Sequence, residues 1–447
     1  MTRAWLCFLA ALMTAASVTA DDLVLPDDVL AHIEEIRARD PELREDSFSK
    51  MGGSSVASTA FLNCFATEYV DLGERSELQE TIEFFGTERG NPFRRKSEAA
   101  GVSWNLRYVL GGKPANFREE LRATNARWAL VLFGSNDAQN ENEQVYLERL
   151  VYLVEEMTEL GVVPILGSAL PRRNSYRNRW IDRFNLITQA VATHWSLPYI
   201  DYNAALTALP RRGLARDGVH PNVLPPGGLA NACVFTEKGL QYGNNVRNLL
   251  TLQMLAELRD RFDLGDPTAL DAEAEPAVVI DTDREAAGVE PKNHPAPEEP
   301  ERHQASFSAL LDYGPDPEPG AELAAEPTAD FGFDPISLLL DKTSLPEASP
   351  LPRYCGTTKP GSRHFTASFT VAEPTRIRVS ALDLGGRRPR VLLVRREAGD
   401  VPARCVRRRL QTLEVDVPVG MWDLVIEVPK AAAEDGKLLL LATPEPR

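Results

Sequence analysis

Trp128-Ala-Leu-Val-Leu-Phe133, running directly into Gly134-Ser-Asn-Asp137, is the stretch on which the fold turns. Six consecutive apolar residues ending at a glycine predict a strand buried on both faces, as in a parallel sheet covered by helices on each side. Val162-Val-Pro-Ile-Leu166 and Pro198-Tyr-Ile-Asp201 predict two more strands. Helical periods lie between them. Over Glu143–Leu160 the residues Leu147, Leu150, Val151, Val154 and Met157 share one face, and Gly161 follows as a stop. Over Ser175–Trp195, Trp180, Phe184, Ile187 and Val191 repeat that spacing. Strand-helix-strand units of this length predict an open, doubly wound α/β sheet, with ligands bound beyond the carboxyl ends of its strands.

Outward from this core the composition changes twice. Residues from about 264 to 350 are rich in Pro, Ala, Asp and Glu, as in Pro295-Ala-Pro-Glu-Glu-Pro300. Such a stretch buries too little apolar surface to offset chain entropy, so it reads as a disordered linker. Two apolar islands inside it, Phe307–Leu311 and Ile336–Leu340, are candidates for docking on a folded neighbour. From 351 to 447 the period becomes two: Phe365, Ala367, Phe369 and Val371, then Ile377, Val379 and Ala381, then Leu413, Val415 and Val417, then Trp422, Leu424, Ile426 and Val428. These runs predict a small antiparallel β-sandwich. The expected plan is therefore an α/β domain over 21–263, a linker over 264–350 and an accessory module over 351–447.

The first twenty residues read as a signal peptide: Arg3, an apolar run from Ala4 to Val18, and a small-residue cleavage site at Val18-Thr19-Ala20. The apolar run is short for a bilayer span, so an exported protein, periplasmic or extracellular, is expected rather than an anchored one. Cleavage removes Cys7 and leaves Cys64, Cys233, Cys355 and Cys405. Four cysteines in an oxidising compartment allow three pairings. Cys64–Cys233 and Cys355–Cys405 are favoured because each stays within one expected domain. The second would close a loop of about fifty residues, worth about 4 kcal/mol in loop-closure entropy. Lys and Arg number 49 against 65 Asp and Glu, a formal charge of −16. That balance argues against nucleic acid or an anionic membrane as partner. No His/Cys cluster has metal-ligand spacing, and no cofactor is expected.

Three segments carry chemistry. Phe48-Ser-Lys-Met-Gly-Gly-Ser-Ser55 runs a strand into a serine at a turn, where the hydroxyl of Ser54 is free to act as a nucleophile. Serines after glycines are also ordinary turn residues. Gly134-Ser-Asn-Asp137 sets Asn136 at a strand end, able to aim its amide at a developing oxyanion or, with Asp137, to cap the next helix. Asp217-Gly-Val-His220-Pro-Asn222 places a carboxylate three residues before a histidine, so that Asp217 can hold one imidazole nitrogen while the other faces a serine. His32 and His194 fall on helices, His294 and His303 in the linker, and His364 opens the β-rich module.

In this order the three segments resemble the SGNH/GDSL hydrolases, over roughly residues 45 to 255. The resemblance implies a flavodoxin-like three-layer doubly wound parallel sheet. It implies Ser54 as nucleophile, His220 as its base and Asp217 as the partner of His220. It implies an oxyanion hole from the backbone N–H of Ser54, that of Gly101 and the Asn136 amide. Gly101 is the best candidate for the second family block, in Arg95-Lys-Ser-Glu-Ala-Ala-Gly-Val-Ser-Trp104. One departure stands out. The family carries Asp before the serine, and this chain has Gly53. That replacement keeps open a register with Ser55 as nucleophile and a non-catalytic binding or scaffold protein.

The function expected from the resemblance is a secreted serine esterase acting on an O-acyl or O-acetyl ester, carbohydrate-borne esters included. An O-acetyltransferase uses the same triad. Arg387-Arg-Pro-Arg390 and Arg407-Arg-Arg409 in the accessory module read as a solvated basic face or as a contact for anionic glycan.

Overall fold

The computed structural model describes residues 24–87, 90–265, 336–341, 363–371, 374–384, 389–396, 404–410, 412–428 and 437–445. The expected signal peptide, Phe307–Leu311 and Cys355 with its expected bond to Cys405 lie outside the described residues, as does the expected linker apart from 264–265 and 336–341.

Helix α1 (Asp27–Arg37) leads into β1 (Arg44–Gly52) and the single turn α2 (Ser54–Ala57). The short strand β2 (Val70–Asp71) precedes α3 (Gln79–Phe85), α4 (Leu106–Val109) and α5 (Asn116–Thr124). Then come β3 (Ala126–Leu132), α6 (Glu143–Glu159), β4 (Val163–Gly167), α7 (Ser175–His194), β5 (Tyr199–Ile200) and α8 (Tyr202–Thr207). Strand β6 (Cys233–Val234) and α9 (Gly243–Arg261) complete the domain. Strands β1, β3, β4 and β5 pair in that order and all in parallel. Every residue of β3 is buried, as its unbroken apolar run requires. Helices α4 to α7 neighbour one another on one side, and α3, α8 and α9 on the other. The result is a three-layer doubly wound sheet. Because β1 and β3 are parallel with Gly52 opposite Leu132, the turns after both strands open at the same edge.

The C-terminal module is an antiparallel sandwich. Its strands are β7 (Ile336–Asp341), β8 (Arg363–Val371), β9 (Thr375–Asp383), β10 (Arg390–Arg396), β11 (Arg404–Leu410), β12 (Thr412–Val417), β13 (Gly420–Val428) and β14 (Lys437–Glu445). One sheet runs β11-β10-β13-β8 and the other β12-β9-β14-β7. The expected boundary at 351 needs correction. Ile336–Asp341 pairs antiparallel with β14, so the module begins inside the stretch read as linker. Its apolar residues were visible, but the strand partner lies about a hundred residues later and sequence proximity does not reveal it.

Strand β14 explains how the module is held. Leu438, Leu440 and Ala442 are buried in the sandwich core. The alternate residues Leu439 and Leu441 belong to the core of the α/β domain. A strand with both faces covered is continuously apolar, which is why no period of two marks it. Polar ties reinforce the contact. Buried Arg183 on α7 pairs with Glu143 and donates to Thr443 and, at 3.0 Å, to Ser380 Oγ. Gln144 Nε2 donates to the Asp383 carbonyl at 2.8 Å. The module therefore packs directly on α6 and α7.

Candidate active site

Ser54 lies just beyond the carboxyl end of β1, at the first position of α2, and its Oγ is 2.8 Å from His220 Nε2. His220 Nδ1 is 2.6 Å from Asp217 Oδ2. With the carboxylate on Nδ1–H, Nε2 is left as the acceptor for the serine hydroxyl. The other carboxylate oxygen, Oδ1, accepts the backbone N–H of Val219 at 2.8 Å and of His220 at 3.0 Å. Burial would raise the Asp217 pKa, but these bonds and that from the His220 ring hold it at about 2. Asp217 is therefore ionised throughout the working range.

The loop that presents this pair is a small closed turn. The Ala215 N–H donates to the His220 carbonyl at 2.9 Å, and the Gly218 N–H to the Ala215 carbonyl at 3.0 Å. Gly218 has φ of +67°, and a Cβ there would sit 2.7 Å from the Cβ of Arg173, so only glycine fits. Arg173 clamps the turn from outside. Its Nη1 and Nη2 donate to the Arg216 and Ala215 carbonyls at 2.8 and 2.9 Å, and its N–H to the Gly218 carbonyl at 3.0 Å. Asn222 and Asn244 tie the same loop to the start of α9, with Asn222 Oδ1 accepting the Gly243 N–H at 2.7 Å and Asn244 Nδ2 donating to the Pro221 carbonyl at 2.9 Å.

Asn136 lies across from the serine. Its Nδ2 donates to the Trp104 carbonyl at 2.8 Å, leaving a second amide hydrogen. Gly53 makes room for it, since a Cβ at position 53 would approach Asn136 Nδ2 to 3.0 Å. Asp137 is buried. It accepts the N–H groups of Leu106 and Gly134 at 3.0 and 3.2 Å, so it braces the strand-end loop against the first residue of α4, and the Asn136 side chain does not cap the turn that follows it. Burial raises its pKa to about 6 despite those bonds.

Gly101 requires a correction. Its N–H donates to the Gly52 carbonyl at 3.1 Å, continuing the edge of β1, and is not free for an oxyanion. The next two residues, Val102 and Ser103, face the cleft instead. The sequence could not separate these neighbours, because only the backbone register fixes which amide is spent.

Arg247, which no motif singled out, lies fully buried on α9 beneath the serine turn. Its Nη1 donates to the Ser55 carbonyl at 2.7 Å, and its guanidinium stacks 3.8 Å from the centre of the Phe61 ring. Burial lowers its pKa to about 10. A polar residue on a helix face reads as solvent-exposed, so sequence gave no signal for it. A disulfide joins Cys64 to Cys233, with Cα atoms 5.8 Å apart, beside the pairing of Val70 with Cys233. It links the chain after Ser54 to the segment between His220 and α9.

The site opens into a cleft of about 1090 Å³ lined by Ser54, His220, Asn136 and the Arg172–Asn174 segment. That volume is slightly above the usual range for ligand sites, about 300–1,000 Å³. Residues 85–224 match the model of the GDSL-like Lipase/Acylhydrolase family. The matched residues include Asn136, Asp217 and His220, while Ser54 precedes them. Among solved structures, the chain is similar to an acetylxylan esterase from Geobacillus stearothermophilus, at 16% identity over 47% of this chain and 93% of that chain, with a TM-score of 0.32. It is also similar to a GDSL-like lipase from Bacteroides thetaiotaomicron VPI-5482, at 16% identity over 52% of this chain and 98% of that chain, with a TM-score of 0.31. A putative lipolytic protein of the G-D-S-L family from Desulfitobacterium hafniense DCB-2 is 13% identical over 46% of this chain and 98% of that chain, also at 0.31. No curated protein matches the chain. Among the described residues no helix is long and apolar enough to cross a membrane.

Proposed function

We propose that the protein is an exported serine esterase that hydrolyses an O-acyl ester borne by a carbohydrate, with Ser54 as nucleophile. The observation that carries this reading is the unbroken chain from Ser54 Oγ through both nitrogens of His220 to Asp217, set in an open cleft at the strand ends. Ser54 Oγ attacks the ester carbonyl while its proton passes to His220 Nε2. The carbonyl electrons move onto oxygen, and the Asn136 amide, the Ser54 N–H and a backbone N–H of the Val102–Ser103 turn stabilise that charge. Collapse expels the alcohol, which takes the proton from Nε2. Water then repeats the sequence against the acyl-serine and releases the acid.

The Cys64–Cys233 bond supports an oxidising compartment. Hydroxyl and amide side chains along the cleft, among them Ser58, Thr59, Gln139 and Asn174, suit a hydroxylated substrate. The test is fluorophosphonate labelling and p-nitrophenyl acetate turnover of the mature protein beside Ser54→Ala. Both are expected in the wild type and absent from the variant. A folded wild-type protein that does not label would sink the esterase reading in favour of a binding protein, and labelling retained in Ser54→Ala would move the nucleophile to Ser55.

A further inference from the structure

The cleft is cationic in an acidic protein. Its charged lining residues are Arg172, Arg173, Arg177 and Asp217, against a whole-chain charge of −16. Asp217 bonds to His220, and its charge also acts on Arg172 without pairing with it directly. Arg173 spends its guanidinium on the Asp217 loop, and Arg177 lies 3.8 Å from Glu141 on the rim.

Arg172 differs from its neighbours. Its backbone is fixed from both sides, the N–H donating to Asn178 Oδ1 at 2.8 Å and the carbonyl accepting from Arg212 Nη1 at 2.9 Å. The residue is partly buried. Among the described residues its guanidinium makes one long contact, 3.5 Å from Nη2 to the Ser135 carbonyl, and no ion pair within 4.0 Å. It lines both the cleft and a small recess behind it, each shared with Ser54, Asn136 and His220. A guanidinium withdrawn from water with most of its donors unspent is satisfied best by an anion, and its planar fork matches a carboxylate.

We propose that Arg172 anchors an anionic subsite and that the natural substrate carries a carboxylate near its acyl ester, an O-acylated uronic-acid sugar being the chemistry that fits. Resting on the esterase reading, the inference narrows its substrate class. The carboxylate meets Arg172 while the ester carbonyl lies between Ser54 and Asn136. The sugar hydroxyls then meet Gln139, Asn174 and Ser103.

The test compares kcat/KM for the methyl glycoside of an O-acetylated galacturonic acid with that for its uncharged methyl ester. Fluorophosphonate labelling of the same samples runs alongside. Wild type is expected to favour the acid about tenfold, mainly through KM, at about 0.02 M salt, and less at about 0.5 M, as screening requires. The preference is expected to fall to about one in Arg172→Gln and to return in part in Arg172→Lys, since a point charge replaces some of what the fork supplies. Equal efficiency on both compounds overturns the inference, as does a preference that survives Arg172→Gln. An enzyme that labels but cleaves neither compound overturns it and leaves the esterase reading standing. Failure to label removes both.

Discussion

Asp217→Asn separates charge from shape at this site. The substitution is isosteric, and its side-chain oxygen still accepts the N–H groups of Val219 and His220 that close the loop. What it loses is the negative charge opposite Nδ1 of the imidazolium that forms when Ser54 attacks. Charges about 4 Å apart at an effective dielectric near 20 interact by about 4 kcal/mol, so kcat is expected to fall by about 10³. The effect on stability is much smaller. A pKa lowered from 3.8 to about 2 would correspond to about 2.5 kcal/mol. The Asp217 side chain is 35% exposed, and screening reduces that to about 1 kcal/mol or less. The group's folded pKa is depressed, so its contribution is present above about pH 4 and is lost as pH falls through about 2. The assay is kcat on p-nitrophenyl acetate at pH 7.5, a pH at which Asp217 is ionised (roughly five units above its pKa), with a thermal melt of each protein. A kcat within about tenfold of wild type, with an unchanged melt, would refute the assignment of Asp217 as the partner that stabilises the imidazolium.

Three further outcomes follow from the packing. The Cys64–Cys233 bond spans a sequence separation of 169, so removing it as Cys64→Ala/Cys233→Ala is expected to cost up to about 5 kcal/mol in loop-closure entropy, read from denaturant midpoints; a loss below about 1 kcal/mol would contradict this. Arg183→Ala removes the main partner of buried Glu143 at the contact between the two domains, leaving it Ser380 and the charge of Arg378, and an expected loss of about 3 kcal/mol should appear in thermal unfolding together with faster proteolysis of the C-terminal module. The Asp137 carboxyl should titrate near pH 6 by carbon NMR, against 3.8 for an unperturbed group. Its folded pKa is raised, so its stabilising contribution of about 3 kcal/mol is complete below about pH 4 and disappears as pH rises through about 6, and a midpoint below about 4.5 would contradict the burial that sets it.

Local chemistry was enough to read the parallel sheet, the two long helices α6 and α7, and the approximate positions of Ser54, Asn136, Asp217 and His220. Each rests on a pattern within about twenty residues: an apolar run, a period of 3.6, or a carboxylate three places before a histidine. The Cys64–Cys233 pairing was legible for a different reason, since of three possible pairings it is the one that keeps each bridge within one expected domain. Tertiary structure alone decided what depends on which distant groups meet. It spent the Gly101 amide on Gly52 and so moved the backbone donor along the turn. It buried Arg247 under the serine turn, although a polar residue on a helix face reads as surface, and it set the guanidinium of exposed Arg173 against the Gly218 turn and that of partly buried Arg172 beside Ser135. It joined Ile336–Asp341 to β14 and gave that strand two apolar faces. A backbone amide has no sequence signature of its own, and an arginine's burial depends on carbonyls and rings that the chain brings to it only when folded.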